Sequence, residues 1–173
     1  MKLATSIVET RNVHDLENII QRHMNFLPEE TDLHIWVGEE TKYLAEKFPD
    51  ATIKFIGEMS IEKYNRLLTS PNFWNLYLDY DKILIFQSDS MILRPGIMEF
   101  TGVDYIGASW RWESRFCGNG GFSLRTPAVM KKVCEKFPWD GSVNEDHWIC
   151  MKMYQNKIGR LASIELADKF SVE

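Results

Sequence analysis

The amino-acid sequence predicts an α/β domain: a mostly parallel central sheet with helices on both faces. Two observations predict it. Short apolar runs of strand type alternate with segments whose apolar residues recur at helical spacing, the pattern of strand–helix–strand units. No linker, low-complexity tract or internal repeat interrupts the 173 residues, so 1–173 reads as one domain.

The elements follow in order. Leu3 to Val8 reads as a first strand. From His14 to Asn25, Leu16, Ile19, Ile20 and Met24 fall on one helical face, and Asn12 is placed to cap that helix. Leu33 to Val37 is a second strand closed by Gly38, and Lys42 to Phe48 is a short helix ended by Pro49-Asp50. Thr52 to Ile56 is a third strand. Ile61 to Leu68 is helical; Ser70-Pro71 breaks it, and Asn72 to Leu78 starts a new helix. Lys82 to Phe86 is the most apolar strand. Arg94-Pro95-Gly96 turns the chain into a short helix near Ile97–Phe100, and Tyr105 to Ala108 is another strand. Phe122 to Arg125 is a strand, and Pro127 to Phe137 is a helix with proline in its first turn. Asn144 to Tyr154 is a helix opened by acidic residues, which suit a helix amino end. The tail, Ala167 to Glu173, reads as strand or loop with more chain expected beyond it.

Bulk properties narrow the function classes. The formal net charge is −5 and no basic run occurs, which argues against a protein built for nucleic-acid backbones. The three cysteines, Cys117, Cys134 and Cys150, form no CxxC pair and read as reduced thiols of a cytosol-like compartment. No apolar stretch of about 18 residues suggests a membrane span, and the first residues do not resemble a signal peptide. Six Trp and ten Phe are many for this length, enough for a dense core and for rings lining a cleft.

Four segments carry candidate chemistry. In Ile83–Leu93 an apolar strand ends in Gln87-Ser88-Asp89-Ser90; seen alone, this is equally a polar turn and a carboxylate able to hold a divalent cation at the sheet edge. In Cys117-Gly118-Asn119-Gly120-Gly121 the glycines allow close approach of backbone to a ligand, or simply make a flexible loop. Glu145 and Asp146 open a helix, where a favourable dipole is the plain explanation and acid–base work the other. Glu9-Thr10-Arg11 ends the first strand, where the arginine is either a solvated side chain or a phosphate ligand.

The first of these segments resembles the Asp-x-Asp segment of GT-A glycosyltransferases, with Gln87 at the first Asp position and Asp89 at the second. The Gly-Gly pair leading into Ser123-Leu124-Arg125, and the acidic pair at the head of a helix, resemble later segments of the same fold. The resemblance is closest to a subgroup of viral and bacterial domains that decorate surface glycans. It implies a GT-A, Rossmann-like sheet and transfer of a sugar from a nucleotide-sugar donor, UDP being the commonest nucleotide, to a glycan or protein hydroxyl. It implies Mn²⁺ or Mg²⁺ held by Asp89, and donor contacts from Thr10, Arg11, Asn65, Gln87, Ser88 and Asp89. Trp110, Arg111, Asn119, Gly120 and Gly121 would line the sugar and acceptor pocket, with Asp146 as general base and Glu145 second to it. Gln87 departs from the pattern, since an amide is a weaker metal ligand than a carboxylate. No histidine follows His147, so a late metal-ligating histidine is either missing or beyond residue 173. Two alternatives stand beside this reading: a binding module without catalysis, and a sugar nucleotidyltransferase. The latter wants a Gly-rich signature near the first strand, which Glu9-Thr10-Arg11-Asn12 lacks. The expected location is the cytoplasm, that of the host for a viral protein; the sequence leaves the oligomeric state open.

Overall fold

A computed structural model describes residues 1–113, 115–116 and 118–172. Cys117 lies outside the described residues; Cys134 and Cys150 are buried thiols. The strands are β1 (Leu3–Glu9), β2 (Asp32–Val37), β3 (Thr52–Phe55), β4 (Lys82–Phe86), β5 (Tyr105–Ile106) and β6 (Phe122–Arg125). The helices are α1 (Leu16–Phe26), α2 (Leu44–Lys47), α3 (Ile61–Leu68), α4 (Pro71–Asn75), α5 (Pro127–Lys136), α6 (Glu145–Asn156) and α7 (Ile164–Phe170), with a 3₁₀ turn at Ile97–Phe100.

The strands form one six-stranded sheet in the order β3-β2-β1-β4-β6-β5. β1, β2, β3 and β4 pair in parallel, while β6 runs antiparallel to both β4 and β5. Chain order moves outward from β1 to β3 and then returns to place β4 on the other side of β1. The order therefore reverses between β1 and β4, and the crevice beyond their carboxyl ends is where ligands of open α/β sheets bind. Because β6 is antiparallel with Phe122 opposite Phe86, its leading glycines arrive at that same end.

Every residue of β1 and β4 is buried, as expected for strands covered on both faces. On one face Ile83 and Ile85 pack with Trp74, Tyr77 and Trp148. On the other, Leu84 packs with Leu3, Phe100 and Leu124, while Ile7 and Phe86 pack with Leu16 and Ile20. Among the described residues no helix is long and apolar enough to cross a membrane.

Three expectations need correction. The first helix starts at Leu16, not His14, because Asp15 sits in the left-handed region (φ 64°) and stops the helix there; Asn12 does not cap it, and its N–H instead donates to Glu40 Oε2 at 2.9 Å. The helix expected over Asn72–Leu78 closes at Asn75 and continues as turns that bury Tyr77. The tail is helical over Ile164–Phe170: Ser163 Oγ accepts from Leu166 N at 3.3 Å, and the Phe170 ring packs on Phe100 and Phe122 with centroids 5.1 and 5.2 Å away.

Candidate active site

A cavity of about 400 Å³ opens at the carboxyl ends of β1 and β4. At the end of β1 the Glu9 carboxylate is buried (4% exposed) yet fully engaged. It accepts from Arg11 N (3.0 Å), Nε (2.9 Å) and Nη2 (2.8 Å), and from Ser88 Oγ (2.7 Å). Burial pushes the Glu9 carboxyl up, but these hydrogen bonds outweigh it and hold it below the ordinary carboxylate range. The same contacts raise Arg11, whose side chain remains exposed on the cavity wall and is further favoured by the charge of Asp89. Thr10 is buried; its Oγ1 accepts from Met59 N at 3.0 Å and ties the segment before α3 to the strand end.

At the end of β4, Gln87 N donates to Gly121 O (2.9 Å), while Ser90 N and Oγ donate back to Gln87 O (3.0 and 2.7 Å). This tight turn puts Asp89 at its tip. Asp89 is exposed, lines the cavity, and makes no hydrogen bond or ion pair among the described residues. Ser88, expected at the donor, has its hydroxyl committed to Glu9. The Gln87 side chain turns toward the glycine loop: a Cβ on Gly121 would lie 3.1 Å from Gln87 Oε1 and 3.2 Å from Asn119 Oδ1.

The third wall is the glycine loop held on the amino end of α6. Asp146 Oδ2 accepts from Gly120 N (2.9 Å) and Oδ1 from His147 N (2.7 Å). Glu145 behaves differently from its neighbour. It is buried and bound through both oxygens to Arg125 of β6 (Nη1–Oε2 2.8 Å, Nη2–Oε1 2.9 Å). Burial lifts the Glu145 carboxyl, with Arg125 pulling it back; burial also opposes the Arg125 charge, but Glu145 outweighs it and holds the guanidinium well above its ordinary value. Gly120 has no room for a side chain here, since a Cβ would meet Glu145 Oε1 at 2.8 Å and Arg125 Nη2 at 2.9 Å. Asn65 of α3 bridges to α6: Glu145 N donates to its Oδ1 (3.0 Å) and its Nδ2 donates to Asn144 Oδ1 (3.2 Å).

The cavity thus brings together Thr10, Arg11, Gln87, Asp89 and Asp146, and reaches Asn65, Asn119, Gly120, Gly121 and Glu145. It does not include Trp110 or Arg111. Trp110 is buried, stacked on Trp112 (centroids 5.3 Å) and edge-on to His147 (5.6 Å), so it serves the packing behind α6; Arg111 is exposed on the surface. The sequence reading missed Arg125, because nothing in a strand pattern marks an arginine as buried. Tyr64, which the sequence sets with Asn65 as a residue that could face the nucleotide, does line the cavity, with a buried hydroxyl that has no hydrogen-bond partner among the described residues; the Gln87 amide is its near neighbour, outside hydrogen-bonding geometry. Burial raises the Tyr64 pKa, so it stays a neutral donor.

The electrostatics leave a net acidic cleft. Glu9 cancels with Arg11 and Glu145 with Arg125, while Asp89 and Asp146 face the space without a cation partner among the described residues. No three His, Cys, Asp or Glu side chains converge as a metal site among those residues.

The chain belongs to the family described as "Protein of unknown function (DUF5672)", whose profile matches residues 43–173. No curated protein sequence matches it. Solved structures do. Staphylococcus aureus TarS (residues 1–349) aligns with a TM-score of 0.57 at 14% identity over 90% of this chain and 56% of that one. The mannosyltransferase PcManGT of Pyrobaculum calidifontis, solved with GDP-Man and Mn²⁺, gives 0.53 at 11% identity over 85% and 50%. A putative nucleotide-diphospho-sugar transferase of Desulfovibrio desulfuricans gives 0.54 at 15% identity over 93% and 79%. The chain spans about half the length of the first two. At these identities the likeness is one of fold, and the fold is the GT-A type that the strand order describes.

Proposed function

We propose that this chain is a metal-assisted glycosyltransferase that moves a sugar from a nucleotide-sugar donor to an acceptor hydroxyl. The observation that carries the proposal is Asp89: an exposed carboxylate that makes no hydrogen bond or ion pair among the described residues, at the tip of a turn fixed by Gln87 and Ser90, at the point where the sheet order reverses. The fold shared with nucleotide-sugar transferases supports it. So does the charge balance. A diphosphate entering a cleft with Asp89 and Asp146 unpaired would meet like charge unless a cation accompanied it.

The residues present fit such a cation. Magnesium-like ions bind proteins through one or two carboxylates and take their remaining oxygens from phosphate and water. Asp89 is the carboxylate that would hold it, with the Gln87 amide oxygen as a neutral neighbour. Bound there, Mn²⁺ or Mg²⁺ supplies neutralisation of the diphosphate and of the charge left on the departing nucleotide. Arg11, braced by Glu9, directs donor groups along the β1 wall. Asp146 would take the acceptor proton; that its carboxylate lines the cavity while both Glu145 oxygens are bound to Arg125 supports this choice. UDP is the nucleotide to try first, on fold analogy.

The test is a panel of UDP- and GDP-sugars, followed by calorimetry and by release of free nucleotide with and without Mn²⁺. Wild type should bind a donor in Mn²⁺ and release nucleotide; Asp89→Asn should weaken that binding about tenfold or more, a loss of ~1.4 kcal/mol. Asp146→Asn, which keeps an oxygen for Gly120 N, should bind donor but not transfer. Unchanged donor affinity in Asp89→Asn would overturn the site. Binding without turnover would turn the reading toward a binding module, and pyrophosphate release from a nucleoside triphosphate and a sugar phosphate toward a nucleotidyltransferase.

A further inference from the structure

A second cavity of about 650 Å³ adjoins the first. Gln87, Asp89, Asn119 and Gly121 line both, so the two meet over Gly121. The missing side chain of Gly121 leaves the passage between the Gln87 and Asn119 amide groups open, since even a methyl would lie 3.1 and 3.2 Å from their oxygens.

The walls of the two cavities differ in chemistry. The first is bounded mainly by charged groups, amides and hydroxyls, with Val8, Met59 and Ile61 as its apolar side chains. The second has Ile97, Phe100 and Phe122 beneath it, Phe170 of α7 at its side, and Met91 and Leu93 at its rim. Ile97 and Phe100 are 6% and 7% exposed and form a fixed floor, whereas Met91 and Leu93 are 62% and 72% exposed. Two such side chains, three positions or fewer from the Asp89 turn, form an exposed apolar edge of the kind that marks a binding surface. The polar groups along it are mostly committed: Arg94 Nη1 donates to Glu99 Oε1 (3.2 Å), and Ser109 Oγ donates to Asp168 Oδ1 (2.5 Å). Lys169 is the further cation in that wall. A free oligosaccharide would find few hydrogen-bond partners here, and an apolar body would find a floor.

We infer that the second cavity takes the acceptor, and that the acceptor is an amphiphile: a hydroxyl that reaches the passage over Gly121, carried on a glycoside or alcohol whose apolar aglycone lies along Ile97, Phe100 and the Met91–Leu93 rim. The continuity with the donor cavity is the reason for choosing this occupant. The assignment rests on the proposed transferase reading, and the test separates the two.

Calorimetry would compare n-octyl glucoside, below its micelle concentration, with methyl glucoside, on wild type and on the exposed double variant Met91→Gln/Leu93→Gln. Octyl glucoside should bind about tenfold or more tightly than methyl glucoside, the effect of burying about two or more methylenes. The double variant should lose most of that difference while binding UDP-sugar with Mn²⁺ as wild type does. Equal or absent binding of the two glucosides beside intact donor binding would overturn the inference and leave the transferase reading standing. Octyl preference without binding of any nucleotide sugar would sink the transferase reading, leaving an apolar-ligand groove with no donor beside it and so no acceptor role. Self-association of wild type, abolished by the double variant, would overturn the inference by making the groove a contact between copies.

Discussion

Glu145 and Asp146 are adjacent in the chain, but β6 and the glycine loop divide them between two tasks. Arg125 takes both oxygens of Glu145 in a fully buried pair, and Gly120 N holds one oxygen of Asp146 at the cavity edge. Removing one partner of a buried pair leaves the other charge uncompensated, at a cost of about 3–5 kcal/mol. Glu145→Gln is therefore expected to lower stability by about that amount in urea denaturation, whereas Asp146→Asn should cost about 1 kcal/mol or less. A Glu145→Gln protein as stable as wild type would show that the pair does not brace the site. The sequence displayed two acids at a helix start but not this division. The partner that buries one of them lies 20 residues upstream on a strand, where alternation cannot reveal an ion pair. Asp89, by contrast, was readable, because an apolar strand followed by a polar turn fixes where the carboxylate emerges.

At the scale of elements, the site depends on how α3 and α6 meet. Asn65 was expected as a nucleotide contact from its place on the helix over Ile61–Leu68, ahead of the Asp89 segment. Although it lines the cavity, both ends of its amide are used on α6, where they satisfy the Glu145 N–H and fix Asn144. A buried N–H left without its acceptor costs about 1–3 kcal/mol, so Asn65→Ala should destabilise by that amount and loosen Asp146 with the helix it starts. The expected signature is a lower urea midpoint together with slowed transfer at unchanged donor affinity. A large loss of donor affinity with unchanged stability would restore Asn65 to the donor. Strand positions were read closely from periodicity, and so was α3 over Ile61–Leu68, whose amino end the structure shows capped by Ser60 Oγ accepting from Lys63 N. α7 was not: seven residues make barely two turns, and its helical face is defined by packing on Phe100 and Phe122 rather than by a repeat.

For the molecule as a whole, the polar groups sealed under the sheet ends set a pH limit on folding. His23 is fully buried, stacked on Phe86 with ring centroids 4.1 Å apart; Nδ1 donates to Ile19 O at 2.8 Å, and Nε2 lies 3.4 Å from Ser90 Oγ in the Asp89 turn. His34 is buried on β2 between the rings of Tyr77 and Tyr80. Burial lowers the pKa of both, outweighing the Ile19 carbonyl at His23 and the Asp32 charge at His34. The unfolded chain, with histidines near 6.5, thus binds more protons than the folded chain as pH falls through about 6.5, and stability must drop on that side. Glu9 adds a second, lower window. Its folded pKa lies below the unfolded one, so its contribution is complete above the ordinary carboxylate range and disappears as pH falls through the folded value. Unfolding free energy is therefore expected to be flat from about pH 8 to about 7, to decline as pH falls below about 6.5, and to lose the Glu9 contribution as pH falls below the ordinary carboxylate range. Urea titrations at each pH, paired with NMR titration of the His23 and His34 rings, measure this directly. Rings that become charged near pH 7 in the folded protein, or a stability that rises as pH falls from about 7 to about 6, would contradict the sealed core from which the Asp89 turn is hung.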